Sequence, residues 1–252
     1  VRLDDRGVPM GIAFQHPARG RAVTPFAVSV RDLAIHYGRR LVFQDVSFDI
    51  GAGQSLGVIG PNGSGKTTLL RTLAGCLIPT TGDVRIGGLT PRDALVRTGV
   101  AYFAGDATLP GSVRATRWGS LGNGDAVTAD RRPMRALSRG TRQLLGLRTV
   151  LGRQPLGLVL LDEPWEGLDP DAARWLSTTL ETKRDRGAAV VLSSHRLHDL
   201  AGFCDFYLFL LPHHAQLVRA HDISPTSPVT AAQLTDVFDK LRGGAMSLRA
   251  VS

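Results

Sequence analysis

Lysine is almost missing from this chain: of 30 basic residues among 252, three are lysine and 27 arginine. The formal net charge is +8, but no compact basic block occurs. The excess therefore reads as arginine-rich coding in a GC-rich genome rather than as a nucleic-acid or lipid surface. Cysteine is scarce as well. Cys76 and Cys204 lie far apart and form no C-x-x-C, which excludes that motif and leaves two quiet, buried thiols in a reducing compartment as the expectation. No apolar run approaches the length of a membrane span; the most apolar short stretch, Phe206 to Leu211, suits a core strand. Residues 1–26 lack the apolar core of a signal peptide and show no periodicity, so they read as a loose extension. A first residue of valine points to a non-standard start codon or a trimmed chain. A cytoplasmic location is expected, with any membrane part supplied by another chain.

What is present is an ordinary globular composition, 43% hydrophobic and 21% charged, at a length that suits one large α/β domain with subdomains. Its organising stretch is Gly60-Pro61-Asn62-Gly63-Ser64-Gly65-Lys66-Thr67-Thr68, which fits G-x-x-x-x-G-K-[ST]. A buried-strand pattern, Gln54 to Ile59, precedes it and a helical one, Thr68 to Ala74, follows. Strand, glycine-rich turn and helix are the context in which this motif cradles phosphate. Glycines bring the backbone close to the oxygens, and successive N–H groups with the positive helix end hold the anion. Lys66 is placed to reach the β- and γ-phosphates, and Thr67 to put its hydroxyl on Mg²⁺. With three lysines in the chain, a chance lysine in that slot is a poor explanation.

The rest of the chain alternates. Before the phosphate loop, strand patterns run over 28–35, 40–43 and 46–50, and form a separate antiparallel layer. After it, strands are expected at 83–86, 100–104, 156–161, 188–192, 205–211 and 216–219, with a turn at Pro212-His213-His214. Helices are expected at 90–93 with Thr90 as cap, 131–137, 138–152 with a Ser138 cap, 170–186, 197–203 and 231–241. Fully apolar strands between helices mean a mainly parallel sheet covered on both faces. Leu158-Val159-Leu160-Leu161 ends in Asp162-Glu163-Pro164, so two carboxylates sit at the carboxyl edge of that sheet, where ligands bind. Asp162 suits Mg²⁺, and Glu163 suits a general base for an attacking water.

These elements, in this order, resemble the nucleotide-binding subunit of an ATP-binding cassette (ABC) transporter, over residues 28–220. Leu137-Ser138-Arg139-Gly140-Thr141-Arg142-Gln143 resembles the family's L-S-G-G-Q signature, with Arg139 and Thr141 replacing Gly and Gln. Gly167-Leu168-Asp169 resembles the D-loop, with Glu166 where serine is more common. Ser193-Ser194-His195 resembles the switch-histidine loop, and Tyr37 the aromatic that stacks on adenine. The resemblance implies that ATP and Mg²⁺ are the cofactors, that His195 holds the γ-phosphate and attacking water, and that Asp169 belongs to the nucleotide site. It also implies that Ser138 and Gly140 act in trans, capping ATP on a second nucleotide-binding subunit in a head-to-tail homo- or heterodimer.

The expected fold is a P-loop NTPase: a mainly parallel sheet flanked by helices, an antiparallel β layer and a reduced helical subdomain. Residues 27–222 form the ATPase domain, with the subdomain and signature at 105–145, and residues 223–252 a linker and C-terminal helix. Two departures bear on function. Where the family has its Q-loop glutamine stands Gly105, followed by Asp106, which is expected to replace it partly as a metal ligand. Gly105 to Ser138 spans 33 positions, shorter than the family's usual subdomain. The expectation is an ATPase that powers a separate transmembrane permease from the inner face of the cell membrane, with export slightly favoured. The alternative is a soluble ATP-driven switch acting on nucleic acid or protein; nucleic acid is not the expected partner.

Overall fold

The computed structural model describes residues 28–122, 128–153, 155–211 and 214–243. The N-terminal extension, the tail beyond 243 and most of the turn expected at Pro212-His213-His214 lie outside the described residues.

Three strands precede or follow the phosphate loop as a layer of their own: β1 (Val28–Tyr37), β2 (Arg40–Ile50) and β4 (Thr81–Ile86). They pair antiparallel in the order β2-β1-β4. The remaining strands are β3 (Ser55–Ile59), β5 (Val100–Phe103), β6 (Leu158–Asp162), β7 (Ala189–Ser194), β8 (Phe206–Leu211) and β9 (His214–Arg219). These make one six-stranded sheet, β5-β6-β7-β3-β8-β9, parallel except for the edge strand β9.

The alternation of side chains on a strand divides the core in two. Leu158 and Leu160 of β6, Val191 of β7 and Leu208 of β8 face the antiparallel layer and helix α1 (Lys66–Leu73), where Val28, Val30, Ile35, Phe48, Leu69 and Leu73 meet them. Val159 and Leu161, Val190 and Leu192, and Tyr207 and Phe209 face the other way. They pack against α4 (Arg139–Leu151), α5 (Pro170–Asp185) and α8 (Ala231–Arg242) through Leu147, Leu176, Leu180, Leu234 and Leu241. Each such leucine or valine contributes about 1.5–3 kcal/mol by leaving water. The C-terminal helix α8 thus belongs to the same core as the central sheet, its start fixed by a capping box between Thr230 and Gln233.

Three local expectations are corrected. The separate strands at 40–43 and 46–50 are one strand, β2; the break is a bulge at Asp45, which takes φ 56°. The helix expected over 131–137 is a single 3₁₀ turn, Met134–Ala136. Pro133 disfavours helical backbone before it and Arg132 folds back onto Asp130, while a short helix α3 (Ala115–Gly119) forms upstream instead. Ala115, Met134, Leu137 and Leu145 close a small core of their own there, with Leu109 and Trp118 at its side. Of the two thiols, Cys204 is buried and its ionisation is pushed up by that burial, whereas Cys76 is exposed.

Strand order positions the chemistry. β3 lies between β7 and β8, and β7 between β3 and β6. Ile59 pairs with Ser194, and Asp162 with Ser193. The phosphate loop, the acidic pair and the Ser-Ser-His segment therefore leave the same edge of the sheet side by side.

Candidate functional site

At that edge lies a cavity of about 360 Å³, lined by Asn62, Gly63, Gly65, Lys66, Thr67 and Thr68 on one wall, Asp162 and Glu163 on the second, and Tyr37, Arg40 and Val42 at the mouth. Helix α1 opens it. Its cap position, Gly65, makes no side-chain cap, and no acidic residue stands in the first turn. The positive end of the helix is left for an anion. Gly65 has φ 102°, and a Cβ there would come within 2.7 Å of Val42 Cγ1 and 2.8 Å of Phe43 Cδ1. Only glycine allows β2 to close over the loop. Ser64 Oγ is buried without a partner, but it packs behind the loop against Gly60 and does not line the cavity. An uncapped helix start and a lysine on the cavity wall fit a polyphosphate.

Lys66 is 7% exposed. Its Nζ donates to the carbonyls of Gly60 (2.8 Å) and Pro61 (3.3 Å) and lies 3.9 Å from Glu163 Oε1. Burial holds its pKa below the usual lysine value, while Glu163 and then Asp162 pull it back up. Thr67 Oγ1 donates to Asp162 Oδ2 at 2.6 Å, and Ser193 Oγ donates to the other oxygen, Oδ1. The Thr67–Asp162 pair offers two hard oxygens to a divalent cation whose remaining ligands are phosphate oxygens and water, the usual Mg²⁺ arrangement. Among the described residues no cluster of three or more His, Cys, Asp or Glu would hold a metal without such help.

Glu163 is held at every corner. It takes φ 47°, a region unusual for a residue with a Cβ. Its N–H donates to Ser193 Oγ (3.1 Å) and Ser193 O (3.2 Å). Its Oε2 lies 2.9 Å from His195 Nδ1 and accepts from the His195 N–H at 3.2 Å. The imidazole is 41% exposed, so the carboxylate and ring stand together at the solvent side of the pocket. This is the geometry of a general base with a polar group that orients it.

Not every expected residue reaches the cavity. Tyr37, Asn62, Gly63, Gly65, Lys66, Thr67, Thr68, Asp162 and Glu163 line it, with His195 on Glu163. Gly60 and Pro61 lie behind, supplying the carbonyls that hold Lys66. Ser138, Gly140 and Asp169 are not on the lining. Ser138 Oγ accepts from the Thr141 N–H (3.1 Å) as the cap of α4, Gly140 packs under the Gly167 carbonyl, and Asp169 caps α5 through the Ala172 N–H (2.8 Å).

The expectation for Asp106 is corrected. Its carboxylate accepts from Arg142 (2.8 and 3.0 Å) and Arg139 (3.4 Å), not from anything on the cavity wall. Two guanidiniums hold it away from the cavity lining, where a metal beside phosphate would sit. Arg139 also pairs with Glu166 at 2.9 Å. The three unusual residues, Asp106, Arg139 and Glu166, are one another's partners.

Sequence reasoning assigned no role to Arg40 or Val42, although a residue shortly after Tyr37 on the returning strand lies on the same side of the turn. Nor did it assign one to Ser193, whose hydroxyl links Asp162 to Glu163; a serine ending an apolar strand beside an acidic strand end was the available signal.

A family model described as ABC transporter matches residues 43–166. The chain is 34% identical to the zinc import ATP-binding protein ZnuC 2 of Hahella chejuensis, over 68% of this chain and 73% of the relative. It is 31% identical to the Nod factor export ATP-binding protein I of Ralstonia nicotianae, over 76% of this chain and 66% of that protein. Against the lantibiotic transport ATP-binding protein SrtF of Streptococcus pyogenes it is 28% identical, over 77% and 91%. Among solved structures, an ATP-binding subunit of an ABC transporter superposes with a TM-score of 0.72 at 22% identity, over 86% of this chain and 99% of that one. A dimeric ATP-binding cassette in a post-hydrolysis state with ADP and Pi gives 0.65 at 17%, over 76% and 98%; at such identities the likeness is one of fold. With the phosphate cradle, the acidic strand end and these relatives together, the chain belongs to the ABC transporter family, as one of its ATP-binding and ATP-hydrolysing domains.

Proposed function

We propose that this chain binds Mg²⁺-ATP in the cavity between the phosphate loop and the acidic strand end, and that its hydrolysis drives a separate transmembrane permease. The observation that carries this reading is the open start of α1 beside Lys66, with Glu163 and His195 facing it across one cavity. The triphosphate lies along the N–H groups of the loop, and Tyr37 at the mouth stacks on the base. Mg²⁺, when bound, neutralises phosphate oxygens; Thr67 and Asp162 are the residues that hold it. Glu163 takes a proton from water as it attacks the γ-phosphorus, the bond to the leaving diphosphate breaks, and Lys66 offsets the charge spread over the γ-oxygens. His195 keeps the Glu163 carboxylate aimed.

Ser138 and Gly140 serve a second copy or a related subunit, where they cap its nucleotide. No helix among the described residues is long and apolar enough to cross a membrane, so the reading places the chain at the inner face, peripheral to its permease. We favour export, on the shortness of the segment between Gly105 and Ser138. A soluble switch finds no support in relatives that are transport subunits.

The test is the Glu163→Gln variant. ATP hydrolysis falls by about 10²–10⁴, ATP still binds, and the mass in solution shifts from monomer to dimer with Mg²⁺-ATP. Parental turnover in that variant sinks the base assignment. A monomer that binds ATP assigns the second site to a different subunit. Co-purification with an integral membrane protein tests the transport role.

A further inference from the structure

Gln143 is 2% exposed, and its amide makes contacts at both ends that no packing role requires. Nε2 donates to the carbonyls of Glu163 (3.3 Å) and Pro164 (3.1 Å). Oε1 accepts the N–H of Asp106 at 2.9 Å. Two acceptors on one side and a donor on the other fix which way the amide points. One side chain on α4 thus joins the peptide that carries Glu163 to the loop that leaves β5.

That peptide needs holding. Glu163 sits at φ 47°, a conformation that persists in a non-glycine residue only where its surroundings over-determine it. Ser193 fixes its N–H and His195 its carboxylate. Gln143 fixes its carbonyl. The far end of the link is anchored too. The Asp106 carboxylate is clamped by Arg142 and Arg139 on the first turn of the same helix, so the loop, the start of α4 and the Glu163 peptide move together or not at all.

We propose that Gln143 is a positioning residue for hydrolysis. It keeps the Glu163 peptide in its left-handed conformation, and it relays displacements of the loop at Asp106 to the carboxylate that activates water. This rests on the reading of Glu163 as the general base.

The test is a double-mutant cycle on the full chain, with kcat and KM for ATP measured at saturating Mg²⁺ for the parent, Gln143→Met, Glu163→Gln and the pair. Gln143→Met keeps the volume and removes both hydrogen-bonding ends. Misplacing the base lowers kcat about tenfold with KM within about twofold of the parent. In the Glu163→Gln background the same change costs nothing further, because a residue that acts through the base has no base left to place. An equal loss in both backgrounds, or an unchanged kcat in the first, overturns the proposal. If Gln143→Met does not fold, Gln143→Glu carries the same cycle; it keeps the acceptor for Asp106 and turns a carboxylate on two carbonyls. Full turnover in Glu163→Gln alone removes the base assignment and this proposal with it. A slow Glu163→Gln with additive losses removes this proposal alone.

Discussion

The chain has two helix starts at which an anion would be welcome, and they are built in opposite ways. Helix α1 begins at an uncapped glycine, beside a buried lysine. Helix α4 begins at a serine that caps its own third residue, with Arg139 tied to Asp106 and Glu166. The first leaves its helix-start N–H groups uncapped, with Lys66 held beside them by the Gly60 and Pro61 carbonyls. The second satisfies itself. On the proposed reading, a site that holds nucleotide by itself needs standing unsatisfied groups, and one that acts against a second subunit is better closed until that subunit arrives. The difference between the two ends lies in a handful of side chains, and substitutions at them separate the two designs.

The largest effect belongs to the open end. Lys66→Ala removes the charge proposed to face the γ-phosphate, and ATP hydrolysis falls by about 10²–10³; a steady-state phosphate-release assay reads it, and near-parental turnover would break the contrast. Next is the mouth of the same cavity. Tyr37→Ala raises the KM for ATP by about tenfold, the worth of one stacked base, and leaves kcat within about twofold. A kcat-only effect would move Tyr37 out of the binding role.

The closed end responds in stability before it responds in rate. Asp106→Ala leaves Arg142 without its buried acceptor and costs about 1–3 kcal/mol, seen as a lower melting temperature. The Mg²⁺ dependence of the ATPase stays unchanged, because Asp106 faces arginines and not the cavity. A shifted Mg²⁺ requirement would return Asp106 to the metal. The smallest effect is that of Arg139→Gly. Arg139 is exposed, so the melting temperature hardly moves, while nucleotide-driven dimerisation in the Glu163→Gln background strengthens as the helix start opens. Weaker dimerisation would show that the guanidinium itself serves the partner's nucleotide.

Much of the site was legible because it is local. From Gly60 to Thr68 every residue is consecutive, so spacing alone places the lysine and the threonine; Asp162 and Glu163 are adjacent, and an apolar strand before them fixes their edge of the sheet. Strand and helix identities along 54–74, 138–152 and 156–192 follow from apolar periodicity and from the Ser138 cap, whereas the cap that Asp169 provides for α5 is shown only by the structure. Local pattern failed where the chain is short of periodicity. Between Gly105 and Ser138 the glycines, Pro110 and Pro133 leave no repeat to read, and the short helix α3 forms because Ala115 and Trp118 find Met134, Leu137 and Leu145 across the loop. The break at Asp45 reads as a strand end and that at Asp32 as an interruption within one strand; both are bulges, where a positive φ is tolerated within paired strands.

What the amino-acid order determined by itself was the identity of the groups proposed to meet phosphate, because their chemistry depends on neighbours within a few residues. What only the tertiary structure decided was who faces whom across long separations. Asp106 meets Arg139 and Arg142, Ser193 meets Asp162, and Gln143 meets Glu163, over 20 to 36 positions of chain. An isolated carboxylate or amide reads as available for many tasks. Its task is settled when folding brings a particular donor within about 3 Å, and that proximity is a property of packed elements rather than of sequence spacing.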